Sequence, residues 1–258
     1  MRLDQWLANE YFSSRSKAQD AVKEGRIKVN GVVILKSSYP IYAEDTIDVL
    51  SKEHEFVSRA GKKIFDVLDA FSIDLNNKCV LDVGASTGGF SDVCLKRNAR
   101  LVYALDVGHG QLHSSLLHDP RCINMEGHSI RDIRSEWFQE KIDFICMDVS
   151  FLSCITALQC IYPLFPDVEA LVLIKPQFEA GPSYLNKHGI IKDDNVLIRV
   201  LRHVVEETTR LGYCVKHLKE SSIQGRDGNR EFLMHLTNEK RILTYDYRNI
   251  VKNNKEKR

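Results

Sequence analysis

No stretch of this sequence approaches the roughly 18 consecutive apolar residues that a membrane-spanning helix needs. The amino terminus, MRLDQWLANEYF, lacks the apolar core of a secretory signal. No two cysteines form a C-x-x-C pair, and their total of seven is odd. Neither a zinc ribbon nor a disulfide framework is therefore indicated, and reduced thiols in a cytoplasmic protein are expected. Charge of one sign is not in excess either: the formal net charge is +1, so any affinity for nucleic acid must come from local clustering. The G-x-G-x-x-G of dinucleotide binders is also missing. What remains is ordinary for a folded protein. The chain has 258 residues, 43% hydrophobic and 28% charged, enough for a small domain followed by a medium-sized one.

Two regimes divide the chain. In residues 1–50, Leu3, Trp6 and Leu7 share one helical face, and Ser13 or Ser14 can cap a second helix that turns Ala18, Ala21 and Val22 inward. Gly25 ends that helix. RIKVNGVVI alternates around Asn30-Gly31, a hairpin signal, and DTIDVL adds a short strand. Residues 51–56 are polar and charged and read as a linker. From 57 to 240 the pattern becomes strand, helix, strand: KCVLDVGA, FSDVCLKRN, RLVYALDVG, KIDFICMDVS, EALVLIKP and the long amphipathic NVLIRVLRHVVEETTRLG. YCVKHLKESS and REFLMHLTN close it as strands around GRDGN. Such alternation predicts an α/β fold with a mostly parallel sheet and helices on both faces. Residues 241–258 are rich in lysine, arginine and asparagine and read as a basic, flexible tail.

Chemistry gathers at the ends of the predicted strands. LDVGASTGGF delivers Asp82 into a loop where Gly84, Gly88 and Gly89 let backbone pass close to a ligand before a helix starts. Its G-x-x-x-G-G spacing suits the amino-acid end of S-adenosylmethionine better than a pyrophosphate; a plain strand-to-helix turn is the alternative. Asp106 ends the second strand, about 20 residues on, where an acid can accept hydrogen bonds from a ribose diol. Asp148 ends a third strand, and Lys175 ends the apolar run ALVLIK ahead of Pro176. Ligands of open α/β sheets bind at the carboxyl ends of strands, so Asp82, Asp106, Asp148 and Lys175 are predicted to meet at one edge. His109 and His113 stand four apart, but no third ligand completes a metal pattern, and no metal is expected.

RLDQWL, SSRSKAQDAVKEGRIKVNG and DTIDVL, followed in order by FVSRAGKKI, LDVGASTGGFSDVCL, ALDVGHGQL, MDVSF, IKPQFEAG and GNREFLMHL, resemble the TlyA (hemolysin A) family of ribosomal RNA ribose methyltransferases. The resemblance covers nearly the whole chain. It implies a small α+β RNA-binding domain of ribosomal-protein type before a Rossmann-like, FtsJ-like methyltransferase domain that uses S-adenosylmethionine. It also implies a Lys-Asp-Lys-Glu tetrad at Lys63, Asp148, Lys175 and Glu231, with Lys62 an adjacent rival for the first place. The implied cofactor contacts are Asp82, Gly84, Ser86, Gly88, Gly89, Phe90, Asp106, Val107 and Asp148, with His128 and Ser129 in the adenine pocket. The implied RNA contacts are Arg2, Arg15, Lys17, Lys23, Arg26, Lys28 and Arg59, and the implied partner is ribosomal RNA or a ribosomal subunit.

The tetrad has a chemical rationale. A ribose 2′-hydroxyl is a poor nucleophile near neutral pH, whereas a sulfonium methyl is already electrophilic, so the enzyme must align the oxygen and remove its proton. An ordinary lysine, with a pKa of about 10.4, is protonated there. Burial and a second ammonium lower that value while carboxylates raise it, so two lysines and two carboxylates can poise one lysine as a base. Lys175 is assigned as proton acceptor, Lys63 as its neighbour that steers the hydroxyl, and Asp148 and Glu231 as holders of the ammonium groups. The expected reaction is 2′-O-methylation of a ribosomal cytidine in the large subunit, with the small subunit left open as a second target. The rivals are a membrane-active cytolysin, a non-catalytic ribosome assembly factor and an NAD-linked enzyme on the same fold, the last disfavoured by the glycine spacing. Two stretches depart from the family: HEFVSR in the linker, and His128-Ser129 where threonine and asparagine are usual.

Overall fold

Leu3 and Leu7 lie one turn apart on a helix, and both are completely buried, as are Ala18 and Val22. They draw together α1 (Leu3–Glu10) and α2 (Arg15–Lys23). Ser14 caps α2, its hydroxyl accepting from the Lys17 N–H at 3.3 Å. Asn30 (φ 51°) and Gly31 (φ 79°) both sit in the left-handed region, which makes a two-residue turn whose twist matches a hairpin. It joins β1 (Ile27–Val29) to β2 (Val32–Val33), and β3 (Ile47–Val49) pairs with the other side of β1, all antiparallel. The computed structural model describes residues 1–12, 14–50, 56–225 and 228–252. This first unit comprises residues 1–55 and the second residues 56–258. Ser13, most of the expected linker (51–55) and the last six residues of the expected tail lie outside the described residues.

The second unit is built from α3 (Arg59–Leu68), β4 (Cys79–Val83), α4 (Gly89–Lys96), β5 (Leu101–Asp106), α5 (Ser114–Leu117) and β6 (Cys122–Glu126). Then follow β7 (Phe144–Met147), α6 (Cys154–Ile161), β8 (Glu169–Ile174), α7 (Pro176–Glu179), α8 (Asp194–Arg210), β9 (Cys214–Glu220), β10 (Phe232–Thr237) and α9 (Tyr247–Lys252). Its seven strands lie in the order β6-β5-β4-β7-β8-β10-β9. The first five are parallel, and β10 runs antiparallel to both neighbours. The central strands read as continuous apolar runs because both of their faces are covered. Leu81, Val83, Ile145, Met147, Val172 and Ile174 pack into one core cluster. Their alternating neighbours Val80, Phe144, Cys146, Leu171 and Leu173 pack into another. β6 carried no such signal: only Met125 of its five residues is buried, so CINME shows no apolar run.

The tail expectation is corrected. Tyr245 donates its hydroxyl to the Val215 carbonyl, Val251 is completely buried, and Arg230 Nη2 donates to the Val251 carbonyl at 2.5 Å. Tyr245, Tyr247 and Ile250 pack on the main core. Four apolar side chains among many charges are enough to dock the segment, and composition alone conceals them.

Candidate active site

The connections from β4 lead to β5 on one side, while β7 enters on the other, so the order of the sheet reverses between β4 and β7. At such a reversal the loops after the strands diverge and leave a crevice. The loop after β4 begins at Gly84, and the segment after β7 begins at Asp148. They touch: a Cβ on Gly84 would fall 2.5 Å from the Asp148 carbonyl oxygen. β8 ends one strand further along and puts Lys175 at the same edge. Because β10 runs the opposite way, Phe232 pairs with Ile174, and Glu231, just before β10, comes to the edge where β8 ends. The fourth member arrives from α3, whose inward face carries Gly61, Lys63, Ile64, Val67 and Leu68. Lys62 is exposed, so of the two adjacent lysines it is Lys63 that turns inward.

These side chains form an alternating chain of charge. Lys63 Nζ lies 2.6 Å from Glu231 Oε2 and 3.9 Å from Asp148 Oδ2, and Lys175 Nζ lies 2.5 Å from Asp148 Oδ1. Asp148 therefore stands between two ammonium groups. All four are largely withdrawn from solvent, with side chains 10% (Lys63), 14% (Asp148), 11% (Lys175) and 3% (Glu231) exposed. Burial pushes the Glu231 carboxyl above its ordinary range, and the Lys63 ammonium opposes that shift. A Cβ on Gly225 would fall 2.5 Å from Glu231 Oε1, so this carboxylate occupies room that only glycine leaves. Lys175 also donates to Ser150 Oγ at 2.7 Å. Beside it, Phe151 is 91% exposed with φ 60°, its ring 5.2 Å from that of Phe178. A bulky residue in the left-handed region is strained, and such strain gathers at functional sites.

The second half of the site lies at the ends of β5 and β6, where Asp106 pairs with Glu126. Asp106 accepts from the Ser86 N–H (2.8 Å) and the Gly108 N–H (2.7 Å), one on each oxygen. Glu126 accepts from the Gln111 and Leu112 N–H groups. Asn124 and those backbone donors hold its carboxyl down at about 2. His128 and Trp137 meet edge to face at 4.8 Å, and Val107 is exposed nearby in sequence. Ser129 caps a short turn, its Oγ accepting from the Arg131 N–H.

Two expectations about this loop, Asp82 and Phe90, need correction. Asp82 is completely buried, and its Oδ2 accepts from the Ser91 N–H (2.9 Å) and hydroxyl (2.6 Å), so it ties the start of α4 to β4 from beneath. Burial raises its pKa to about 7, against the Ser91 hydrogen bonds. Phe90 is 2% exposed and belongs to the core around α4. Protein neighbours fill the Cβ space at two of the glycines: a Cβ on Gly88 would strike Leu116 and Leu112, and one on Gly89 would strike Ser58 and Ala60. His109 packs its ring against Gly127, while His113 accepts from the Ser115 N–H at the start of α5.

In the first unit Arg2, Arg15, Lys17 and Lys23 are exposed and Lys28 partly so. Arg26 is more covered: its Nε donates to the Leu50 carbonyl and its guanidinium lies over the Phe12 ring. Arg59 is exposed at the start of α3, in the second unit.

Residues 56–238 match the FtsJ-like methyltransferase family, and residues 1–47 match the S4 domain. The chain belongs to the FtsJ-like methyltransferases. The family and the fold expected from the motifs are those found. The FtsJ-like chain is 41% identical over 238 residues to Hemolysin A of Brachyspira hyodysenteriae, covering 91% of this chain and 99% of that one. It is 33% identical over 255 residues to the 23S rRNA (cytidine-2′-O)-methyltransferase TlyA of Campylobacter jejuni, covering 91% and 98%. A solved structure from Streptococcus thermophilus that carries the hemolysin name superposes with a TM-score of 0.75 at 33% identity, covering 98% of this chain and 93% of that one. Among the described residues no helix is long and apolar enough to cross a membrane.

Sequence reasoning passed over Ser150, Phe151 and Trp137. The first two stand inside MDVSF, so the signal was within a motif already singled out. Trp137 had none, because its contact with His128 depends on how the segment after β6 folds back.

Proposed function

We propose that this protein transfers a methyl group from S-adenosylmethionine to the 2′-oxygen of a ribose in ribosomal RNA, on a cytidine of the large subunit. The alternating Glu231, Lys63, Asp148, Lys175 chain at the sheet's reversal point is the observation that carries this reading. The residues present fit the cofactor. Asp106 and Glu126 offer carboxylate oxygens at adjacent strand ends, as a ribose diol requires, and their backbone donors hold them in place. Val107, His128 and Trp137 would border the adenine, and Ser86 and Gly84 the amino-acid end. S-adenosylmethionine supplies an electrophilic methyl, and the protein needs no metal for that step.

Lys175, in its neutral form, takes the 2′-hydroxyl proton as the oxygen becomes a nucleophile. Asp148 holds Lys175 and Lys63 in one line, so neither amino group drifts from the hydroxyl. Glu231 fixes Lys63, whose N–H groups orient the hydroxyl oxygen. Ser150 gives Lys175 a second, uncharged partner. Phe151 offers an exposed face beside Lys175 on which a base pulled out of its stack would rest. The S4 domain supplies the RNA contacts, from Arg2, Arg15, Lys17, Lys23 and Lys28. TlyA of Campylobacter jejuni carries the same activity in its name. The hemolysin name of the Brachyspira relative has no counterpart in a membrane-spanning helix among the described residues.

Radiolabelled S-adenosylmethionine offered with large and small ribosomal subunits tests the proposal. Label is expected on a ribose of large-subunit RNA. It should vanish with Lys63→Ala, Asp148→Ala or Lys175→Ala while thermal unfolding stays cooperative. No transfer to either subunit or to naked RNA refutes the reading, and full activity of Lys175→Ala refutes that residue's role.

A further inference from the structure

Asp4 sits in the first turn of α1 and is completely buried, yet it accepts from two arginines that are each about half exposed. Arg2 Nε donates to its Oδ1 at 3.0 Å and Arg2 Nη2 to its Oδ2 at 3.1 Å. Arg15 Nε donates to Oδ2 at 3.0 Å, and Gln19 Nε2 reaches the same oxygen at 2.8 Å. Arg2 is the N-cap of α1 and Arg15 the first residue of α2. Both cations thus stand at the positive end of a helix, where a basic side chain is disfavoured. One carboxylate cannot neutralise two guanidiniums and two helix ends, so the cluster keeps a net positive charge. Toward Asp4, Arg15 uses its Nε–H and Arg2 its Nε–H and Nη2, so neither Nη group of Arg15 nor Nη1 of Arg2 is spent on that carboxylate. Helix ends and guanidinium forks both bind phosphate oxygens.

We propose that Asp4 is a positioning residue that sets Arg2 and Arg15 as one two-armed clamp for a single backbone phosphate of the substrate RNA. This rests on the RNA reading above. It goes beyond it in making the pair one site with a buried organiser, in place of two independent surface charges. Gln19 locks the shared oxygen, so the two forks keep a fixed relation before RNA arrives and lose little freedom on binding.

The sign of one substitution separates the clamp from simple attraction. Asp4→Asn removes a negative charge, so unorganised surface charge predicts equal or tighter binding to RNA. The clamp predicts weaker binding, by about tenfold, and a slope of log affinity against log salt that is shallower by about one, the loss of one phosphate contact. Arg15→Lys keeps the charge but not the fork, and is expected to weaken binding likewise. The assay is filter binding of the full chain to deproteinised large-subunit ribosomal RNA across a potassium chloride series, with thermal unfolding of each variant alongside. Equal or tighter binding by a folded Asp4→Asn overturns the clamp. Should that variant fail to fold, Arg15→Lys decides, and wild-type affinity and salt slope in it overturn the clamp. A wild-type chain that binds no ribosomal RNA overturns the RNA reading itself.

Discussion

Replacing Asp82 by asparagine should change how stability depends on pH, and the size of the change follows from where the carboxyl lies. It is completely buried in β4, and its Oδ2 accepts from the Ser91 N–H and hydroxyl. Burial raises its pKa from 3.8 to about 7. A carboxyl whose folded pKa exceeds its unfolded value binds a proton more tightly when folded. Its contribution is therefore fully present below about pH 4 and is lost as pH rises through about 7. At about 1.36 kcal/mol per unit the whole effect is about 4 kcal/mol, of which about 2.5 kcal/mol falls between pH 5 and pH 8. Asparagine has no proton to lose. Its Oδ1 can keep both Ser91 bonds, and any misfit of its amide adds an offset that does not vary with pH. The stability of Asp82→Asn minus that of the parent should thus rise by about 2.5 kcal/mol from pH 5 to pH 8. Urea unfolding measures it. The chain's two tryptophans fall one in each unit, Trp6 and Trp137. A Trp6→Phe background therefore leaves Trp137 to report the methyltransferase unit alone. Parallel stability curves for the two chains across that range would refute the assignment of a shifted proton to Asp82.

Phe151→Ala should leave the melting temperature unchanged, since the ring is almost wholly exposed, yet lower methyl transfer by about tenfold or more, the usual worth of one base–aromatic stack; an unchanged rate removes Phe151 from substrate binding. Gly84→Ala should destabilise by about 2–4 kcal/mol, because its Cβ would overlap the Asp148 carbonyl at φ 81°. Gly110→Ala, at φ 65° with nothing within 4 Å, should cost only about 1 kcal/mol; equal losses in urea titrations contradict the packing argument. Val251→Asp should destabilise the second unit by about 3 kcal/mol or more, as an unpaired charge in a buried position does. A chain that unfolds like the parent would show that α9 is not docked.

The central strands were legible because a strand covered on both faces must be apolar along its length. KCVLDV, DFICM and ALVLI could hardly be anything else. β6 was not legible, since an edge strand with polar exposed positions resembles a loop. The α9 segment failed for the opposite reason: its charges are many and exposed, and its few buried residues decide where it goes.

The site shows the same division. Lys175 and Asp148 could be placed from sequence, because a polar residue ending an apolar run must sit at the rim of the sheet. Lys63 could not be separated from Lys62 by type or spacing. Successive helical residues point about 100° apart, and only the packing of α3 on the sheet determines which one faces inward. Asp82 and Asp106 look alike in sequence, each an acid near the end of a strand. One stops a residue short of the strand's end under a helix start, and the other stands at the end in reach of solvent. Glu231 reaches Lys63 because β10 inserts antiparallel beside β8, a choice made by the whole sheet and not by NREFL. Local periodicity determined the elements and the residue types at their ends. Which of those residues share one charged chain was decided by strand order and helix rotation, which depend on contacts between segments far apart in sequence.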